Sequence, residues 1–327
     1  MEERMVSLYD TDRGYREKYG PIIGVDEAGR GPLAGPVTAA AVCFAPDRRS
    51  ELIRDSKKLS PKQRDRAYRW ILENAEGWAV HSAGVQTINR MNILHASLYA
   101  MERAVEKLQI SGAHVMVDGD RVPGKLQGRC HTVTGGDGIS FSIAAASILA
   151  KVTRDRIMLR WAEIYPDYGF DRHKGYGTAV HLNAIAAYLP TPLHRRDFAP
   201  VKNMDPRHCP DTRTLGKWGE NWAVYYLILK GYRFVARNYF GGRKGEIDII
   251  MKDGGLYLMV EVKTAFGKDE YAAAERVDEK KIQKMIRAAE RYFYDLNIRE
   301  YNVRFDAVTV SGTDLNKPHI EHYENII

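Results

Sequence analysis

At 327 residues the chain is too long for one typical domain and comfortable for two, and 44% hydrophobic with 28% charged residues is globular composition with apolar material for two cores. No uninterrupted apolar run reaches the roughly 18 residues of a membrane span, the first residues are acidic rather than leader-like, and Cys43, Cys130 and Cys209 form no Cys-x-x-Cys pair, which sets aside a spanning helix, a secretory leader, a disulfide framework and a zinc-thiolate site. The net charge of +7 is uneven, with 29 Lys and Arg against 23 Asp and Glu in residues 1–202 and 20 against 19 in residues 203–327, so a polyanionic partner is expected for the first part.

A soluble, cytoplasmic protein is therefore expected, with residues 1–19 as an N-terminal extension and a first domain over residues 20–202. The apolar run at residues 21–25 predicts a buried strand that ends in two adjacent carboxylates, Asp26 and Glu27, with Ala28-Gly29-Arg30-Gly31-Pro32-Leu33-Ala34-Gly35-Pro36 following at once. Side chains alternate faces along a strand, so the two acids can meet on one ion only if the chain bends or bulges there. The glycines ease such a bend and leave room for a nucleic-acid backbone to approach. Residues 36–45 are small and apolar, as in a strand packed on both faces. Ser60-Pro61 reads as N-cap and first position of a polar helix over residues 62–73.

A strand is expected over residues 78–86, then a helix over 88–108 with Ile93, Leu94, Leu98, Met101, Val105 and Leu108 at helical spacing. Residues 113–119 predict another buried strand, and Asp118 is the third acid delivered at a strand end. A small-residue helix begins near Ser142, and Asp137 sits just before it, where the helix N-terminal dipole supports a carboxylate. Asp155 competes with Asp137 for a fourth acidic role, but lies about five turns along that helix and suits local ion pairs with Arg154 or Arg156. Aromatic residues interleave with basic ones over residues 165–178 and 194–202, a pattern suited to stacking beside phosphate contacts; His194, next to Arg195 and Arg196, is given only a surface role.

The run Gly24-Val25-Asp26-Glu27-Ala28-Gly29-Arg30-Gly31-Pro32-Leu33-Ala34-Gly35-Pro36-Val37 strongly resembles the signature of type 2 ribonucleases H, the ribonuclease HII family. Ser56-Lys57-Lys58-Leu59, Asp137 ahead of Ser142-Ile143-Ala144-Ala145-Ala146-Ser147, and Lys174-Gly175-Tyr176-Gly177-Thr178 extend the resemblance. It implies a ribonuclease H-like mixed α/β sheet with flanking helices, and Asp26, Glu27, Asp118 and Asp137 as catalytic residues holding two Mn²⁺ or Mg²⁺ ions. It further implies a Gly29-Arg30-Gly31 turn that reads a 2′-hydroxyl, phosphate or substrate contacts from Lys57, Lys58 and Lys174, and Tyr176 stacked on the deoxyribose after the ribonucleotide. The implied substrate is nucleic acid: RNA in RNA/DNA hybrids and single ribonucleotides in duplex DNA, cut on the 5′ side to leave a 3′-hydroxyl and a 5′-phosphate.

Elementary chemistry agrees with such a set. Phosphodiester hydrolysis needs an activated water and relief of charge on the leaving oxygen, which two divalent cations roughly 3.5–4 Å apart provide on hard carboxylate ligands. Four acids clustered without cations repel one another and raise some of their pKa values. The alternatives are a resolvase-type nuclease of the ribonuclease H-like superfamily and a non-catalytic nucleic-acid-binding scaffold.

Residues 203–213, with two prolines and no periodicity, read as a linker to a second domain over residues 214–327. There a helix over 214–230 ending at Gly231, strands over 232–238, 245–250 and 256–263, a helix over 278–296 and a strand over 303–310 predict a smaller α/β/α, restriction-endonuclease-like domain. Asp248 followed by Glu261-Val262-Lys263 is the Asp…Glu-x-Lys pattern in which two acids hold a metal and a lysine on the same strand face orients water. With Gly216, Gly219-Glu220, Gly231 and Gly245-Glu246-Ile247-Asp248 in front, this stretch resembles the YraN family of predicted nucleases, which implies a second site at Glu220, Asp248, Glu261 and Lys263. The rival is a binding or targeting module that keeps those residues as an ion-pair network.

Overall fold

The structure, a computed structural model, describes residues 8–204, 211–242, 245–267 and 279–327. It divides into two compact units, one of Met1–Arg160 with Asp171–Gly177 and the other of Trp161–Phe170 with Thr178–Ile327.

The first unit holds α1 (Leu8–Tyr19), β1 (Ile22–Ala28), β2 (Val37–Cys43), α2 (Pro61–Asn74), β3 (Gly77–Ala83), α3 (Val85–Leu108), β4 (His114–Asp118), β5 (Cys130–Val133) and the start of α4 (Phe141–Ile164). Its sheet runs β3-β2-β1-β4-β5, antiparallel between β3, β2 and β1 and parallel between β1, β4 and β5. Every residue of β2 is buried because the sheet is covered twice. Ala39 and Ala41 join Ile23, Val25, Val115 and the apolar side of α3 in one core, while Ala40 and Val42 face α2 and α4 in the other. Gly24 lets α4 rest directly on β1: a Cβ there would come 2.2 Å from the Ser142 carbonyl carbon.

Several expectations change here. Residues 8–19, read as an extension, form a helix whose Asp12 is 1% exposed and whose Tyr9 ring packs on Phe141 at 4.8 Å. The helix expected over 88–108 begins at Val85 and is broken at Asn92 (φ 65°, ψ 170°), whose Oδ1 accepts from the His95 amide and starts the second segment. The cap at Ser60 is as read from the sequence, with a reciprocal bond between Ser60 and Gln63.

The chain continues through α5 (Phe170–His173) and α6 (Ala179–Tyr188). The second unit then adds α7 (Thr212–Leu229), β6 (Arg233–Phe240), β7 (Glu246–Asp253), β8 (Leu256–Phe266), α8 (Glu279–Asp295), β9 (Asn302–Gly312) and β10 (His319–Tyr323). Its sheet runs β10-β9-β8-β7-β6, parallel between β8 and β9 and antiparallel elsewhere. Alternate residues of β8 serve the two faces. Met259 packs with Met285, Ala288 and Phe293 of α8, and Thr264 and Phe266 meet α7, where a Cβ on Gly219 would lie 1.9 Å from Thr264 Oγ1. Asp211 caps α7 through the amides of Arg213 and Thr214. Residues 205–210 of the expected linker, Cys209 with them, and Asp278 at the head of the expected last helix lie outside the described residues.

His194 is not a surface residue. Its side chain is buried, with Nε2 3.0 Å from His181 Nε2 and Nδ1 accepting from the Thr191 amide, and Arg195 beside it is wholly buried. Of the polar neighbours that suggested exposure in the sequence, Arg195 is enclosed and Arg196 half-buried.

Candidate active site

Parallel pairing of Val25 with Val117 puts the carboxyl ends of β1 and β4 side by side, so Asp26 and Asp118 leave adjacent strands at one level. The bend or bulge expected at Asp26-Glu27 is absent: the β1–β2 ladder runs on regularly through Asp26↔Ala40, Glu27↔Ala39 and Ala28↔Thr38. Convergence comes instead from where the neighbouring strand stops. β4 ends at Asp118 while β1 continues to Ala28, so beyond Asp26 that edge is open and Glu27 reaches the same cleft from the other face.

The cleft has a volume of about 370 Å³, and Asp26, Glu27 and Asp118 stand in it with Gly29, Arg30 and Gly31. Lys57 and Tyr176 of the predicted set also line it, as do Ser56, Arg64, Ser147 and Lys151, which the sequence reading did not single out. Asp137 joins through Lys57, whose Nζ is 3.0 Å from Asp137 Oδ2. Lys58 and Lys174 do not line it: Lys58 lies 3.9 Å from Asp55 with its side chain 80% exposed, and Lys174 Nζ donates to the Asp171 carbonyl.

Each acid is occupied by a donor of the protein itself. Asp26 Oδ1 accepts from the Glu27 amide at 2.6 Å, Asp118 Oδ1 from the Gly136 amide at 2.6 Å, and Glu27 Oε1 lies 3.5 Å from Arg30 Nη1. Ser147 hydrogen-bonds Asp26 and in turn meets Ser56 Oγ at 2.9 Å. Burial, then the neighbouring Glu27 and Asp118 charges, push Asp26 well above the usual carboxylate range. Burial raises Glu27, against the pull of Arg30 and with help from Asp118, and burial also raises Asp118. Crowded, partly desolvated carboxylates of this kind are relieved by a bound cation, and their hard oxygens suit Mg²⁺ or Mn²⁺. Among the described residues no three acid, imidazole or thiol groups already stand in a ligating arrangement.

One reading near Asp137 is corrected, and a group that no local pattern shows is added. Asp137 occupies a 3₁₀ turn, Gly136–Gly138, but the α4 N-terminus is served by Asp12: Oδ2 accepts from the Ser142 amide at 3.0 Å and hydroxyl at 2.6 Å, and Oδ1 from the Ser140 hydroxyl at 2.6 Å. No local pattern could have found Asp12, whose partners lie 128 and 130 residues away. Asp155 pairs with Lys151 at 2.8 Å rather than with Arg154 or Arg156, because on a helix the residue four positions away shares its face and the adjacent ones do not. Arg156 reaches Asp65 at 2.6 Å.

In the second unit the structure brings together Asp248, Glu261 and Lys263. Asp248 Oδ2 accepts from the Val262 amide at 2.7 Å, and Lys263 Nζ is 2.6 Å from Glu261 Oε1. A second cation, Lys281 of α8, holds Glu261 Oε2 at 2.9 Å and was not legible in the motif. Burial and the Glu261 charge push Asp248 up to about 7. Glu220 is turned to Arg237 at 2.8 Å.

Residues 23–201 match the family model of ribonuclease HII, and residues 219–310 match that of an uncharacterised protein family, UPF0102. The ribonuclease HII of Dechloromonas aromatica is 54% identical over 182 residues, 56% of this chain and 92% of that protein. The ribonuclease HII of Idiomarina loihiensis is 51% identical over 183 residues, 56% of this chain and 97% of that protein. The crystal structure of ribonuclease H2 from Pyrococcus horikoshii OT3 has a TM-score of 0.48 at 24% identity, over 56% of this chain and 96% of that one.

Proposed function

The chain belongs to the ribonuclease HII family and is an endoribonuclease followed by a UPF0102 (YraN) domain; from that premise we propose that it hydrolyses RNA in RNA/DNA hybrids and removes single ribonucleotides from duplex DNA by cutting on their 5′ side. The observation that carries this reading is one cleft in which buried Asp26 and half-buried Glu27 and Asp118, mutually repelling, stand beside the Gly29-Arg30-Gly31 turn and Tyr176. Asp26, Glu27, Asp118 and Asp137 would hold two divalent cations, Mn²⁺ or Mg²⁺, which when bound supply an activated water and neutralise the leaving 3′-oxygen. The turn presents backbone groups to the 2′-hydroxyl, the one handle that separates such a site from DNA. Tyr176, 44% exposed at the rim, offers its ring to the sugar that follows, and Lys57 offers a cation to phosphate. The cytoplasm, where its nucleic-acid substrates lie, is the proposed compartment. Among the described residues no helix is long and apolar enough to cross a membrane.

The test is cleavage of an end-labelled duplex bearing one ribonucleotide, with Mg²⁺ or Mn²⁺, by the intact chain and by Asp118→Asn. A cut 5′ to the ribonucleotide that Asp118→Asn abolishes supports the reading. Binding without cutting would favour a scaffold, and cutting of a four-way junction instead would favour a resolvase.

For residues 214–327 we propose a second metal-dependent nuclease site at Asp248, Glu261 and Lys263. Support comes from buried Glu261 and half-buried Asp248, with a lysine on the same strand face. Glu220, held by Arg237, contributes only its charge. Mn²⁺-dependent cutting of DNA by the Asp118→Asn chain, lost on adding Asp248→Ala with Glu261→Ala, would bear this out. Absence of any such cutting would favour a binding module.

A further inference from the structure

Arg154 is among the largest fully buried side chains of the protein, and its energetics are unfavourable. No carboxylate lies within ion-pair distance among the described residues, since adjacent Asp155 is turned to Lys151 at 2.8 Å. One of its nitrogens, Nη1, is buried without a hydrogen-bond partner. A buried charge lacking both counter-ion and full hydrogen bonding is costly. The charge by itself does not explain the guanidinium.

Its two bonded nitrogens do. Nε donates to the Pro36 carbonyl at 2.9 Å and Nη2 to the Ala34 carbonyl at 3.1 Å, both on the return leg of the glycine-rich turn. Gly29, at the head of that turn with φ +99°, is the residue that admits it: a Cβ there would sit 2.1 Å from Arg154 Nε and 2.4 Å from Cδ. The guanidinium carbon is also 5.8 Å from the centre of the Tyr176 ring. The Tyr176 loop is joined to the same return leg by the Leu33 amide, which donates to the Gly175 carbonyl at 2.8 Å.

We propose that Arg154 is a positioning residue for ribose selectivity, holding the Gly29-Arg30-Gly31 turn and the Tyr176 loop in fixed relation without touching substrate. The proposal rests on the reading of that turn as the 2′-hydroxyl reader. Selectivity then depends on charge-assisted bonds to two carbonyls, which a neutral side chain cannot make.

The experiment compares binding of a fluorescent duplex bearing one ribonucleotide with binding of its all-DNA twin, using the full chain made cleavage-silent by Asp118→Asn. A preference of about tenfold, the worth of one hydrogen bond, is expected for that parent. Adding Arg154→Met is expected to bring the preference within about twofold, with a fall in melting temperature as two buried carbonyls lose their donor. Arg154→Lys, which keeps the charge but on a single nitrogen, falls between, and Gly29→Ala, which displaces the guanidinium, loses the preference as Arg154→Met does. A general loss of structure lowers both affinities and leaves their ratio alone, so the ratio separates positioning from stability. Should Arg154→Met fail to fold, the Arg154→Lys ratio decides. A preference retained at about tenfold in these variants overturns the proposal alone, whereas a parent with no preference overturns the reading of the turn and the proposal with it.

Discussion

Replacing Asp12 by alanine should unravel the first turn of α4 and, with it, the support of the 3₁₀ turn that carries Asp137. The Asp12 carboxylate, 1% exposed, accepts from the Ser142 amide, the Ser142 hydroxyl and the Ser140 hydroxyl. Loss of a helix cap costs about 1 kcal/mol, and each buried hydroxyl left without an acceptor about 1 kcal/mol or more. Ser140 Oγ keeps a second bond, from the Ile143 amide at 3.2 Å, which limits the damage there. The expected total is about 3 kcal/mol, and about half of that for Asp12→Asn, which keeps an acceptor oxygen. A chain of two units need not unfold in one step, so the informative measurement is amide hydrogen exchange at Ser142, Ile143 and Ala144. Opening there should become on the order of a hundredfold more frequent, the equivalent of about 3 kcal/mol. Unchanged exchange at those amides in Asp12→Ala would refute the capping argument.

Asp26→Asn should abolish ribonuclease activity yet stabilise the metal-free protein at neutral pH by about 1 kcal/mol. The folded pKa of Asp26 is raised by burial and by Glu27 and Asp118, so the folded state binds the proton more tightly than the unfolded one. Stability then falls as pH rises from the unfolded value through the folded one, and the gain from asparagine should vanish near pH 3 in melts run with chelator. Lys57→Met should strengthen Mn²⁺ binding by freeing Asp137. The gain should not exceed about fivefold, because the Lys57 side chain is 78% exposed and such pairs are worth at most about 1 kcal/mol; weaker binding in calorimetry would count against it. At the second site, Mn²⁺ affinity of the Asp118→Asn chain should climb as pH passes about 7, where Asp248 gives up its proton, and Asp248→Asn should remove that rise.

Much of the site was legible because its acids end apolar runs. Asp26, Glu27 and Asp118 each follow a strand pattern, and glycines after them mark turns, so their positions follow from local periodicity alone. Asp155 was misread although its partner was legible, since Lys151 lies one helical turn back. His194 was misread because charged sequence neighbours suggest solvent, whereas burial depends on what the rest of the chain lays over them.

The sequence by itself determined the chemistry available: which carboxylates end strands, which turns lack side chains, where helices begin, and that two families' motifs share one chain. Only the tertiary structure decided which of those groups meet. The Val25↔Val117 register sets Asp26 beside Asp118, Asp12 serves serines 128 and 130 residues away, and Lys281 of α8 closes on Glu261. The physical reason is range. Strand, turn and helix propensities are settled within a few residues, but carboxylate crowding and the placement of a cation such as Arg154 arise from packing between segments distant in the chain, which no local pattern encodes.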